Sequence, residues 1–277
     1  MEIKGWCYYN HAAIPTTAPH EEPDISSIQD KSIWKIAGGT PLLARWTTAF
    51  DCGRETTWWY VIKDQPFDIT ELKAKRRYEI NKGLKNFEVL EIDPLQYKEE
   101  MYRVQVAAFS AYPEKYRPTV NKQDFFCELE KWEKYTILGA FYRETNQLCG
   151  YSLLSRSSEK CVDFYVLKVD PQYEGAAINA ALVEGTLRHF RDFLTAGGYI
   201  CDGARSIHHE TAFQDYLEKY FGFRKAYCKL HIVYNPRLKW IVKTVFPFRK
   251  LLRKLDGIGK IHQINSVLRM EELARGE

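Results

Sequence analysis

Three strand-length runs follow one another with no helix between them: TILGAFYR (136–143), QLCGYSLLSR (147–156) and CVDFYVLKV (161–169). A glycine-containing turn then opens a helical stretch over 176–195. This block constrains the chain more than any other part of it. The first two runs are predicted to pair as a hairpin through Glu144-Thr145-Asn146. In the helix, Val183, Leu187, Phe190 and Leu194 share a face, and Gly197-Gly198 supplies a C-terminal stop.

Around the block, FEVLEI (87–92), YICDGA (199–204) and CKLHIVY (228–234) read as strands, and WWYVIKD (58–64) as one buried strand. Helices are expected over 69–86, 121–134 and 210–221. Another starts at Asp93-Pro94, with Tyr97, Met101, Val104 and Ala108 on one stripe. The order β-α-α-β-β-β-α-β-α-β predicts a single α/β layer structure. Residues 1–68 look irregular, with Pro15, Pro19 and Pro23, and are expected to pack as an extension on a main domain at 69–234. Residues 235–277 form a basic amphipathic tail.

Composition narrows the function classes. A net charge of +4 over 277 residues does not by itself imply nucleic-acid binding. No run of apolar residues is long enough for a membrane span, and MEIKGWCYYN lacks the pattern of a secretory leader. Seven single cysteines without a CxxC pair point to reduced thiols, no metal site and a cytoplasmic setting.

The chemistry concentrates at Val169-Asp170-Pro171-Gln172-Tyr173-Glu174-Gly175-Ala176-Ala177. A glycine turn that opens a helix presents unpaired backbone N–H groups, and the helix dipole favours an anion there. Gly175 lets a phosphate approach the backbone, and Ala176 and Ala177 keep the first turn open. Gln172-x-x-Gly175-x-Ala177, after a strand and before a helix, resembles the pyrophosphate loop Q/R-x-x-G-x-G/A of the GNAT superfamily of acyl-CoA N-acyltransferases. The resemblance covers about residues 87–234. It implies a GNAT-like fold, a mixed and mostly antiparallel sheet flanked by helices. It also implies an acyl-CoA donor, acetyl-CoA first, held by Val169, Gln172, Gly175, Ala176 and Ala177. Glu174 departs from the family pattern, since a carboxylate beside a pyrophosphate is unfavourable.

Amine attack on a thioester needs a group that accepts a proton from the ammonium and one that protonates the leaving thiolate. Asp163, flanked by Val162 and Phe164 in the strand 161–169, is the expected base. The alternative for it is a strand-edge carboxylate facing water. The family's acid is commonly a tyrosine in N-x-x-A-x-x-x-Y-x-x-x-G-F. Here His209-x-x-Ala212-x-x-x-Tyr216 resembles that pattern, with Gly222-Phe223 two residues late, which implies Tyr216 as acid. His209, or its neighbour His208, is the alternative base.

The basic segment 73–89 resembles the K-x-x-R-x-x-I-x-K-x-x-K-x-x-x-V signature of Fem-type aminoacyl transferases through Arg77, Ile80 and Lys82. Lys73 and Arg77 share a helix face, and with Lys82 they suit a phosphate-bearing acceptor such as a nucleotide-sugar, a lipid-linked sugar or tRNA. A solvated basic face is the plain alternative. The resemblance implies aminoacyl-tRNA as a second donor class, although 68 residues are too few for a second complete GNAT-like domain.

The tail, 238–260, mixes Trp240, Phe248, Leu251 and Leu255 with many Lys and Arg, and Pro247 divides it into two short helices. It either lies on an anionic membrane surface or packs its apolar face on the domain. Three functions stay open. The first is N-acyltransfer from acyl-CoA to a small-molecule amine, such as the amino-sugar of a cell-surface polysaccharide precursor. The second is Fem-like aminoacyl transfer, and the third a non-catalytic binding module that keeps the fold.

Overall fold

The computed structural model describes residues 1–114, 117–206, 212–255 and 259–276. The chain divides into two compact units: one of 1–61, 204–212 and 225–277, the other of 62–203 and 213–224. Where the sequence suggests three consecutive segments, contacts thus gather the two ends of the chain into one unit.

The strands are β1 (Trp6–Tyr9), β2 (Ala12–Pro15), β3 (Leu43–Thr48), β4 (Trp58–Lys63), β5 (Phe87–Glu91), β6 (Thr136–Tyr142), β7 (Gln147–Arg156), β8 (Cys161–Val169), β9 (Tyr199–Ala204) and β10 (Arg224–Tyr234). The helices are α1 (Ser26–Gln29), α2 (Ala74–Asn86), α3 (Lys98–Ser110), α4 (Lys122–Leu129), α5 (Ile178–His189), α6 (Arg191–Thr195), α7 (Ala212–Phe221), α8 (Pro236–Val245), α9 (Arg249–Arg253) and α10 (Gly259–Arg275).

The first unit carries the strand order β1-β2-β3-β10-β4. Its β2–β3 pair is parallel, and β10 runs antiparallel to β3 from Lys229↔Thr48 to Tyr234↔Leu43. Strands β1 to β3 lie where the sequence looks irregular. The four-residue β1 and β2 are too short for a periodicity to show, and the partner of β3, β10, comes from nearly two hundred residues along the chain. Small cores form around Trp6, Ile33 and Ala44, around Trp58, Leu230 and Met270, and around Val242, Phe246 and Leu268.

The second unit has the order β9-β8-β7-β6-β5. Strands β5 to β8 are antiparallel and β8–β9 is parallel. The β6–β7 turn closes with Asn146 in the left-handed region (φ 53°) and its amide on the Tyr142 carbonyl. One face of this sheet is covered by α3 and α4, whose Met101, Val104, Phe125 and Leu129 pack on Tyr151 and Leu153. Burying each such side chain contributes roughly 1.5–3 kcal/mol. The other face carries α5, whose Ile178, Ala181, Leu182 and Val183 are fully buried. Helix α2 packs on α5 through Gly83, where a methyl group would sit 2.6 Å from the Ala177 carbonyl oxygen.

The expected helix over 176–195 is interrupted twice. A 3₁₀ turn occupies Pro171–Ala176, Ala177 breaks into α5, and Phe190 separates α5 from α6.

Candidate active site

The site is built where β8 and β9 part. Their parallel pairing spans Cys161↔Tyr199, Val162↔Ile200 and Asp163↔Cys201. Beyond it, β8 continues along β7 to Val169 through an irregularity: Leu153 faces Val166 and Leu154 faces Phe164, so Tyr165 is the extra residue. A bulge of this kind bends its strand and increases the local twist. Beyond the third pair no further β8–β9 pairing follows among the described residues, and the end of β9 parts from the second half of β8.

β8 leads into the glycine loop. The Asp170 side chain accepts from the Gln172 amide (3.2 Å) and from its side-chain nitrogen (3.0 Å), and Pro171 sits in the first turn of the 3₁₀ segment. Arg103 of α3 approaches the Asp170 carboxylate at 3.5 Å and donates to the Leu148 carbonyl. Asn86, at the end of α2, donates to the Ala176 carbonyl (3.1 Å). The loop is therefore held from two sides. Its outer arc of Gln172, Glu174 and Gly175 is exposed, and a Cβ built at Gly175 meets nothing within 4 Å.

The left-handed residue of the loop is Ala177, with φ 67° and ψ 38°, although it is 4% exposed and not a glycine. That geometry costs an L-residue roughly 1–2 kcal/mol and persists because the packing around it over-determines it. No side chain caps α5, so the amides of Ile178, Asn179 and Ala180 at its start have no side-chain acceptor. A loop and helix start of this form can accept a pyrophosphate or another anion. The cofactor-binding set expected from sequence is thereby gathered into one turn, except that Val169 is a buried strand residue opposite Gly150.

The expected proton-transfer groups do not converge. Asp163 pairs opposite Ser155 and points to the α3 face, where Cys161 donates to it at 3.7 Å. Burial raises its pKa, and Ser157 and Cys161 offset part of that rise by hydrogen bonding. Phe164, the next residue along, points to the other face and meets Phe213 of α7 at 5.8 Å. Tyr216 lies on that second face, stacked on Phe213 and 5.0 Å from Tyr220. Burial, then Glu79 and Tyr220, raises its pKa well above the usual phenol range. His209 and His208 lie outside the described residues.

One carboxylate escapes sequence reasoning. Asp202, on β9 just past the last pair with β8, faces the α7 side and is hydrogen-bonded by the buried Gln214. Burial raises its pKa to about 7, and the Gln214 bond holds it from going higher. A carboxyl that titrates near neutrality, on a strand just past the end of its pairing, has the properties of a general acid–base group. The signal was present: a lone Asp inside the otherwise apolar run YICDGA.

Lys73 is the extended residue that precedes α2, so, contrary to expectation, it shares no helix face with Arg77. It and Lys75 are exposed, and Arg77 donates to the Thr70 carbonyl at 3.2 Å. Arg76 lies over the Tyr220 ring (5.9 Å). Lys82 is half-buried one residue before Gly83, the contact with the loop. The basic helix therefore runs alongside the glycine loop. Among the described residues no three His, Cys, Asp or Glu side chains gather as a metal-binding group.

No family model matches the sequence, and no curated protein matches it. Solved structures do resemble the fold. The L-PGS of Bacillus licheniformis superposes with a TM-score of 0.52 at 11% identity, over 87% of this chain and 83% of that one. The C-terminal DUF2156 domain assigned to a lysylphosphatidylglycerol synthetase of Agrobacterium fabrum gives 0.50 at 13% identity, over 87% and 84%. A conserved protein of unknown function from Bacteroides thetaiotaomicron gives 0.52 at 11% identity, over 80% and 78%. At these identities the likeness concerns the fold alone, which is α/β: a mixed, mostly antiparallel sheet flanked by helices.

Proposed function

We propose that the protein is an acyl-group transferase that moves an acyl group from acyl-CoA to an amine. The observation that carries this reading is the parting of β8 from β9 beside an uncapped helix start and a carboxyl with a pKa of about 7. In the proposed reaction the donor pyrophosphate sits on the outer arc of 172–177 and the amides that open α5. The thioester lies where the strands part. The acceptor amine attacks the thioester carbonyl, a C–N bond forms and the C–S bond breaks. Asp202 accepts the ammonium proton, and the thiolate leaves and is protonated. Tyr216, kept as a phenol by its raised pKa, is the proposed donor of that proton. Asp163 is retained as a second proposed base, on the opposite face. An amino-sugar bearing phosphate suits the acceptor position, with Lys73, Arg77 and Lys82 as its proposed partners.

A second reading uses aminoacyl-tRNA as donor. The basic face of α2 beside the loop favours it, since a row of lysines tracks a polynucleotide backbone as readily as a sugar phosphate. One of the similar structures, the DUF2156 domain, carries the name of a lysylphosphatidylglycerol synthetase, and this reading extends the lysyl transfer in that name to the present chain.

Calorimetric titration with acetyl-CoA tests the first reading, with Gly175→Glu as control. The new side chain points into open space and should leave the fold intact while its charge repels phosphate. Micromolar binding that drops at least ~100-fold in the variant, an electrostatic loss of about 3 kcal/mol, is the expected result. Silence towards acetyl-CoA and longer acyl-CoAs alike would sink it and leave the aminoacyl reading.

A further inference from the structure

The C-terminal helices carry two adjacent stripes that the transfer chemistry does not use. Trp240, Ile241, Phe248, Leu251 and Leu255 are 71%, 53%, 60%, 61% and 45% exposed. Trp240 and Ile241 lie on α8, Phe248 in the 3₁₀ turn that follows, Leu251 on α9 and Leu255 just past its end, so exposed apolar side chains recur along the whole segment. Lys239, Lys243, Lys250 and Lys254 each precede a residue on or bordering that stripe, and so form a row about 100° around the helix from it. All four lysines are exposed, and none has a carboxylate partner among the described residues. Residues 236–254 contain seven Lys or Arg and no Asp or Glu.

The third side of the helices is fixed to the unit they belong to. Val242 and Phe246 pack on Leu268 of α10. Glu272 of α10, 5% exposed, accepts from Arg249 at 2.8 Å, from Arg269 at 3.1 Å and from Arg253. Arg249 and Arg253 thus anchor the segment internally, while the lysines and the large apolar side chains face outward. Ile241 also lines an apolar groove of about 290 Å³ with Leu238, Val245 and Ile264, so the outward apolar surface continues inward at that point.

We propose that α8 and α9 lie in the headgroup region of an anionic lipid bilayer, with the apolar stripe inserted and the lysine row on lipid phosphates. An apolar stripe this wide, bordered by lysines without carboxylate partners, one of which (Lys243) lies over the Trp240 ring at 5.6 Å, matches the boundary between acyl chains and headgroups. The length of the lysine side chain lets its head reach phosphate while its stem covers apolar surface. A protein partner would match the apolar stripe alone. The uninterrupted positive charge beside it selects an anionic surface. Among the described residues no helix is long and apolar enough to cross a membrane, so the contact is in-plane.

The test is flotation of the full chain with phosphatidylcholine vesicles, plain or carrying about 40 mol% phosphatidylserine, at low ionic strength. Phosphatidylserine keeps surface binding apart from recognition of any lipid substrate. Binding to the anionic vesicles only, reversed at about 0.5 M salt, is expected. The triple variant Trp240→Ser/Phe248→Ser/Leu251→Ser and the quadruple Lys→Gln variant at 239, 243, 250 and 254 should each weaken it at least ~10-fold. These side chains are exposed, so both variants should melt as the wild type does, which circular dichroism checks. Three results would overturn the proposal: no binding to anionic vesicles, unchanged binding by the triple variant, or a wild-type dimer that the triple variant splits. None of these depends on a donor, so the transfer reading stands or falls separately.

Discussion

Asp163 on β8 and Asp202 on β9 are carboxylates on neighbouring strands, both pushed upward in pKa by burial, and their surroundings differ. Asp163 lies within the last pair that joins the two strands, with Ser157 and Cys161 on the face covered by α3. Asp202 lies one residue beyond the pairing, on the opposite face with Gln214 of α7. Burial alone therefore does not single out a working carboxyl. In the proposed reaction, it is position relative to the point where the strands separate that gives Asp202 rather than Asp163 the role of base.

The largest expected effect breaks that comparison directly. In the acyl-transfer assay, Asp202→Asn should lower turnover about 10²–10⁴-fold, the usual contribution of a positioned base, while Asp163→Asn should cost much less. In the wild type, kcat/KM should rise with pH through about 7 and then level off, and this limb should vanish in Asp202→Asn. Equal losses in the two variants would erase the distinction.

Stability sharpens the same contrast. Asp202 titrates at about 7 when folded, against roughly 3.9 when unfolded, so between those values the native state holds more protons. Stability should accordingly fall as pH rises from about 4 to 7, and the penalty is complete above that window. Asp202→Asn removes it, and at pH 8 the variant should be more stable by on the order of 2–4 kcal/mol in urea titrations. A variant no more stable at pH 8 than at pH 4, relative to wild type, would contradict the raised pKa.

The loop gives two smaller effects. Gly83→Ala places a methyl 2.6 Å from the Ala177 carbonyl, and α2 must shift away from the loop it braces. Overpacking of this kind costs typically 1–3 kcal/mol, readable as a lower Tm. Ala177→Gly should change stability by less than about 1 kcal/mol. Relief of the left-handed strain is nearly offset by the lost methyl burial and the greater unfolded-state entropy of glycine. Ala177→Val, β-branched at the same φ, should cost clearly more. Indistinguishable melts for the Gly and Val variants would show that the loop does not hold this conformation in solution.

Much of the second unit was legible because its elements are long and strongly patterned. β6, β7 and β8 begin and end within a residue of the apolar runs that announce them. Ala177 is both left-handed and buried, so a small side chain suits that position. The limits of α5 were less visible, because Phe190 fits the helical stripe as well as its neighbours do and breaks it only through backbone geometry.

The sequence by itself determined the order of strands and helices, the glycine turn ahead of α5 and the amphipathic tail divided at Pro247. All three depend on local periodicity or on the backbone preferences of single residues. Tertiary structure decided the rest. The extra residue at Tyr165 sets which face each side chain of β8 takes, and it exists only relative to β7. That register separates Asp163 from Tyr216. The end of the β8–β9 pairing is what leaves Asp202 just past the ladder, and no pattern within YICDGA encodes it. The gathering of 1–61 with 225–277 rests on pairs such as Leu43↔Tyr234, nearly two hundred residues apart. Contacts at such separations leave no local signature, because each strand alone is too short to show which partner completes it.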